Sequence, residues 1–199
     1  MNQKTWKKII PAAAALAAVL VSLPAAAHPG HAGHEALGAW AGFVHPFTGA
    51  DHMLAMVAVG LWAALRGGKA VWAWPAAFVA ALLGGYALAR VGVALPLIEP
   101  AILASVIVLG ALTAANAKAP TAAGVALIAL FGAAHGFAHG SEALAATAGF
   151  PVGMALATAG LHAVGIGLAL GLQRLHRPAL IRLLGAGAAA GGMALALAG

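Results

Sequence analysis

Six apolar stretches in a row, near residues 38–65, 70–89, 95–116, 121–140, 148–173 and 178–198, leave this chain one solvent in which it can fold. Each is comparable to the ~20 residues that cross a hydrocarbon layer, and the breaks between them hold glycine, proline or charge. Only 7% of the residues are charged, against roughly a quarter in water-soluble domains. So few charges cannot clothe a soluble surface, and lipid takes over that role. The expected fold is an all-α membrane protein, a compact bundle of about six transmembrane helices.

Ahead of these stretches lie Lys4, Lys7 and Lys8, an apolar run from Ile9 to Leu23, and the small residues Ala25-Ala26-Ala27. That order is the pattern of a cleaved secretory signal peptide. An uncleaved first helix is the alternative, but the run is shorter than the ~20 residues of a usual span. The expected division is a signal peptide over 1–27, a periplasmic leader over 28–37 and a transmembrane domain over 38–199. Cleavage after Ala27 would begin the mature chain with His28-Pro29-Gly30-His31-Ala32-Gly33-His34-Glu35. His28, His31 and His34 are candidates for weak metal capture there; the plainer alternative is a solvated leader.

With the mature N-terminus outside, the loops can be tested against the positive-inside rule. Arg66, Lys69, Lys118, Arg174, Arg177 and Arg182 then fall on the cytoplasmic side, and Arg90 alone falls outside. The expected location is a bacterial inner membrane, crossed several times. The net charge of +6 is scattered over helix ends, unlike the basic stripe of a nucleic-acid-binding protein. Tryptophans fall mostly near the predicted span ends, with Trp72 and Trp74 beside Lys69, as in an interfacial belt. Gly132, Gly136 and Gly140, and again Gly149 and Gly153, form small-xxx-small ridges that let helices approach closely in lipid. Self-association into a homo-oligomer is left open.

Ionisable side chains inside such spans are costly and tend to face the bundle interior or a watery path. The first span holds His45, Asp51, His52 and, one turn on, Met56. On an undistorted helix His45 and His52 would share a face two turns apart, about 10 Å and about 20 Å along the axis. Pro46 and Gly49 make a regular helix doubtful here. The fourth span ends with His135, His139 and Glu142, which lie on one helical face at steps of four and three. Two imidazoles one turn apart can chelate one metal ion, and a carboxylate can complete or orient the set. Asp51 is either a direct ligand or a partner that fixes an imidazole tautomer. Glu142 is either a ligand or a cap at the water interface. His162, in the fifth span, is a further candidate, its alternative being an interhelical hydrogen bond. Met56 is a candidate accessory ligand, although methionine more often fills gaps. Glu99, between Pro96 and Pro100, and His176, among arginines, read as interfacial and surface residues. The chain has no cysteine, so thiolate sites, disulfides and iron–sulfur clusters are excluded.

The run His45-Pro46-x-x-Gly49-x-Asp51-His52-x-x-Ala55-Met56-x-x-Val59-Gly60 resembles the signature of the HupE/UreJ family of nickel/cobalt permeases. The signal followed by His-Pro-Gly-His, and the later His135-Gly136-x-x-His139-Gly140-x-Glu142, are similar to that family as well. The resemblance covers essentially the whole chain. It implies a small secondary permease admitting Ni²⁺, or in some members Co²⁺, for metalloenzymes such as hydrogenase or urease. It also implies that His45, Asp51 and His52 are the essential metal-handling residues, supported by His135, His139 and Glu142. The partners expected are a divalent metal ion as substrate and the lipid bilayer, with no nucleic acid and no permanent cofactor. No Walker A motif is present to couple transport to a nucleotide. Rival readings are a metal- or haem-binding membrane protein that does not transport, and an intramembrane metalloenzyme. The last lacks the H-E-x-x-H spacing of a metalloprotease.

Overall fold

The computed structural model describes residues 38–143 and 145–198. The predicted signal peptide, with Trp6, and the histidine leader lie outside that range. Among the described residues every regular element is helical: α1 (Ala39–Val44), a 3-10 turn (His45–Phe47), α2 (Ala50–Arg66), α3 (Ala70–Arg90), α4 (Ile98–Ala114), α5 (Thr121–Glu142), α6 (Gly149–Arg174) and α7 (Pro178–Ala198). Four of them, α3, α5, α6 and α7, are long and apolar enough to cross a membrane. The α1–α2 pair adds a fifth span if its two arms are taken together. Helix α4 is apolar but has 17 residues, about 25 Å at 1.5 Å per residue, short of the ~30 Å hydrocarbon layer.

The long stretch expected over 38–65, with room for tilt or a broken turn, is bent at such a turn. Pro46 has no N–H to continue a helical ladder, and Gly49 is extended, with φ −108° and ψ 124°. The two arms meet at 84°. His45 therefore does not stack above His52 on a continuous helix, and depths measured along one straight axis do not apply. The carbonyl of His45 is taken up locally, accepting from the Thr48 hydroxyl at 2.7 Å and the Thr48 N–H at 3.0 Å.

Helix α2 is the centre of the bundle. It packs against α3, α4, α6 and α7, and every residue from Ala58 to Ala64 is buried, as are Ala55 and Met56. A helix with no free face must be apolar all round, which its sequence from Met53 to Leu65 is. Around it the glycine ridges make close seams. A methyl group on Gly136 would overlap the Leu82 carbonyl, and Gly132 and Gly140 meet the backbone at Phe78 and Tyr86, so α5 lies directly on α3. Gly153 meets the Ala39 carbonyl of α1, while Gly60 and Gly165 bring the backbones of α2 and α6 together.

The tryptophan belt holds only in part. Trp40 and Trp72 are exposed, but Trp62 and Trp74 are fully buried, with ring centroids 4.3 Å apart. Their indole N–H groups donate to the carbonyls of Ala117 and Thr121, at 2.9 and 3.0 Å. A buried indole needs such an acceptor, and the α4–α5 connection and the first residue of α5 supply them. At the same end Arg66 and Arg182 donate to the carbonyls of Ala119 and Ala114.

Candidate metal centre

The break between α1 and α2 creates the site by starting a new helix inside the bundle. Asp51 lies in the first turn of α2, where its carboxylate accepts two bonds from His52. One comes from the backbone N–H and one from ring Nδ1–H, both at 2.8 Å. A carboxylate can only accept, so His52 carries its proton on Nδ1 and leaves Nε2 with a free electron pair.

His135 and His139 lie one turn apart near the end of α5, both fully buried. The His52 ring lies between them, its centroid 4.7 Å from His135 and 4.5 Å from His139. His45, on the 3-10 turn, is 4.6 Å from His139 by ring centroid, with Nε2 2.9 Å from His139 Nδ1. That contact is a hydrogen bond between the two rings, one nitrogen donating and the other accepting. One ligand atom each from His45, His139 and Glu142 falls within a 4.8 Å grouping, with Glu142 at its exposed edge. The residues His45, Asp51, His52, His135, His139 and Glu142 thus converge from a turn and two helices.

His162 lies deeper along α6, buried, with its ring against Phe78 at 5.1 Å. Phe78 in turn meets His135 at 5.5 Å, so one phenyl ring touches both imidazoles. Met56 is wholly buried in the apolar core with Val59, Trp62 and Phe78, a packing position. Glu99 and His176 are exposed. His28, His31 and His34 lie outside the described residues.

Among the described residues, the buried side-chain polar atoms that find no hydrogen-bond partner are His52 Nε2, His135 Nδ1, His139 Nε2, both ring nitrogens of His162, and Thr158 Oγ1. An unmet buried polar atom costs roughly 1–3 kcal/mol, which marks these histidine nitrogens as candidate donors to a cation. The donor set is imidazole and carboxylate, which suits divalent first-row transition metals. Two residues here escaped sequence reading. Ser105 of α4, whose hydroxyl reaches His135, stood out only as a lone polar side chain in an apolar run. Phe78 carried no signal, since phenylalanine is ordinary in a spanning helix.

Residues 16–195 match a protein-family model described as "HupE / UreJ protein". The chain is also similar to "Protein HupE" of Rhizobium leguminosarum bv. viciae, with 45% identity over 166 residues, covering 82% of this chain and 84% of that protein. No solved structure matches the chain.

Proposed function

The chain belongs to the HupE/UreJ family, and on that premise we propose that it is a secondary permease for uptake of a divalent transition metal, Ni²⁺ or Co²⁺, across the bacterial inner membrane. The observation that carries this reading is the set of unpartnered imidazole nitrogens on His52, His135 and His139, gathered where three elements meet. Such a set offers several electron pairs to a cation and no thiolate that would trap a soft one.

In this reading the leader histidines, His28, His31 and His34, raise the local metal concentration on the periplasmic side. The ion trades water for His45, His139 and Glu142 at the exposed edge, then for His52 and His135 inside. Asp51 holds His52 in its metal-binding tautomer and contributes a negative charge. His162 is the next nitrogen donor toward the cytoplasm, and Met56 serves packing. Inward movement of a dication gains about 4.6 kcal/mol per 100 mV of membrane potential, twice the value for one charge, so uptake needs no nucleotide.

Transport fits the geometry better than haem binding. Imidazoles in ring contact leave no slot for a macrocycle between two axial ligands. The test is uptake of radioactive nickel and cobalt into proteoliposomes, comparing wild type with His52→Ala. Loss of uptake in the variant, with the protein still folded, is expected. Equal uptake in both would remove the site.

A further inference from the structure

Ser105 sits in the middle of α4, fully buried, with its Oγ 2.9 Å from His135 Nε2 and 2.6 Å from the carbonyl oxygen of Ile102. A hydroxyl has one proton and a carbonyl has none. Two oxygens 2.6 Å apart with no proton between them would repel, so the serine proton is committed to Ile102. The short contact to His135 then requires the proton on the other side, on Nε2. A neutral imidazole carries only one ring proton, which leaves His135 Nδ1 bare. That nitrogen is buried and finds no partner among the described residues.

We propose that Ser105 is a positioning residue that holds His135 as its Nε2–H tautomer and so presents Nδ1 to the transported metal. The identity of the guest rests on the permease reading above; the tautomer does not.

The arrangement mirrors Asp51 and His52 with the ring nitrogens exchanged. Asp51 fixes His52 through Nδ1 and frees Nε2, while Ser105 fixes His135 through Nε2 and frees Nδ1. The two rings stand nearly perpendicular, at 88°, with centroids 4.7 Å apart. Partners that hold the second nitrogen of a ligating histidine set its orientation and basicity, and their loss typically weakens metal binding about 10–100-fold.

The experiment uses the full chain, metal-free, in lipid nanodiscs, with ¹⁵N-labelled histidine and His135 assigned by the signals missing in His135→Ala. Histidine ring-nitrogen shifts distinguish the two neutral tautomers. Wild type should show Nε2–H for His135, Ser105→Ala should lose that preference, and Ser105→Thr, which keeps the hydroxyl, should restore it. An Nδ1–H tautomer in wild type, or an unchanged Nε2–H in Ser105→Ala, overturns the proposal without reference to any variant's transport. Calorimetric titration with Ni²⁺ on the same samples supplies the second readout, with an expected weakening of about 10–100-fold in Ser105→Ala. Undiminished Ni²⁺ binding by Ser105→Ala, where His135→Ala has lost it, would refute the positioning role. Undiminished binding by His135→Ala would instead refute the metal role of His135 and leave the tautomer result standing.

Discussion

Asp51 answers two needs at the start of α2. The first turn of a helix carries a partial positive charge, which disfavours a bound cation, and the carboxylate offsets it. The same carboxylate orients His52. Asp51→Asn separates the two roles, because the amide oxygen can still accept from Nδ1–H while the charge is gone. We expect that variant to bind Ni²⁺ about 10–100-fold more weakly than wild type, measured by calorimetric titration. Affinity equal to wild type would mean that orientation alone matters. Under the permease reading, protons would compete with the metal for the same imidazole electron pairs. Uptake into proteoliposomes should therefore fall as the outside pH is lowered. A rate that rises steadily from pH 7 to pH 5 would count against imidazole ligation. At this scale much of the site was legible. His135, His139 and Glu142 share a face by spacing alone, and the cost of burying the two imidazoles in lipid marks that face out. Ser105 was not legible, because its importance depends on which helix α4 meets, and no local pattern encodes that.

Helix contacts followed from small residues where the spacing was regular. The ridge of Gly132, Gly136 and Gly140 forms the seam between α5 and α3, and Gly149 and Gly153 lie against α1. What spacing does not reveal is the partner of each ridge, or a break such as the 84° turn at Thr48–Gly49. Proline and glycine announce a disturbance there, but its angle is set by what α1 and α2 pack against. Trp62 and Trp74 misled for a related reason. Their sequence positions near span ends suit an interfacial belt, whereas the carbonyls of Ala117 and Thr121 accept from both indoles where they lie buried. The seams make a sharp contrast testable. At Gly136 an added methyl group meets backbone, and at Gly84 it meets nothing within 4 Å. Gly136→Ala should lower stability by roughly 1–3 kcal/mol, the usual range for overpacking. Gly84→Ala should be neutral or slightly stabilising, since alanine is the better helix former. Denaturant unfolding in detergent would compare the two, and similar stability in both would show that the α3–α5 seam yields.

Among the described residues, charge other than Arg90 is sorted by end. Asp51 and Glu99 open α2 and α4, and Glu142 closes α5, while Arg66, Lys69, Lys118, Arg174, Arg177 and Arg182 cluster around the opposite helix ends. The histidine centre is on the acidic side. Because the chain contains no cysteine, single cysteines report topology without a background. Ala145→Cys, in the α5–α6 connection, should react with an impermeant maleimide from the periplasm. Ala115→Cys, at the end of α4, should react only after the inner membrane is opened. The reverse pattern would invert the proposed direction of transport. One feature of the fold also limits how the molecule can move. The bent rod of α1 and α2 is fractured beside His45, yet α6 is strapped to both pieces, Gly153 against Ala39 on one side of the break and Gly165 against Val57 on the other. Both arms of the break are thus held against one helix. Under the permease reading, opening the histidine cluster would then move α1, α2 and α6 together and part His45 and His52 from His135 and His139 of α5.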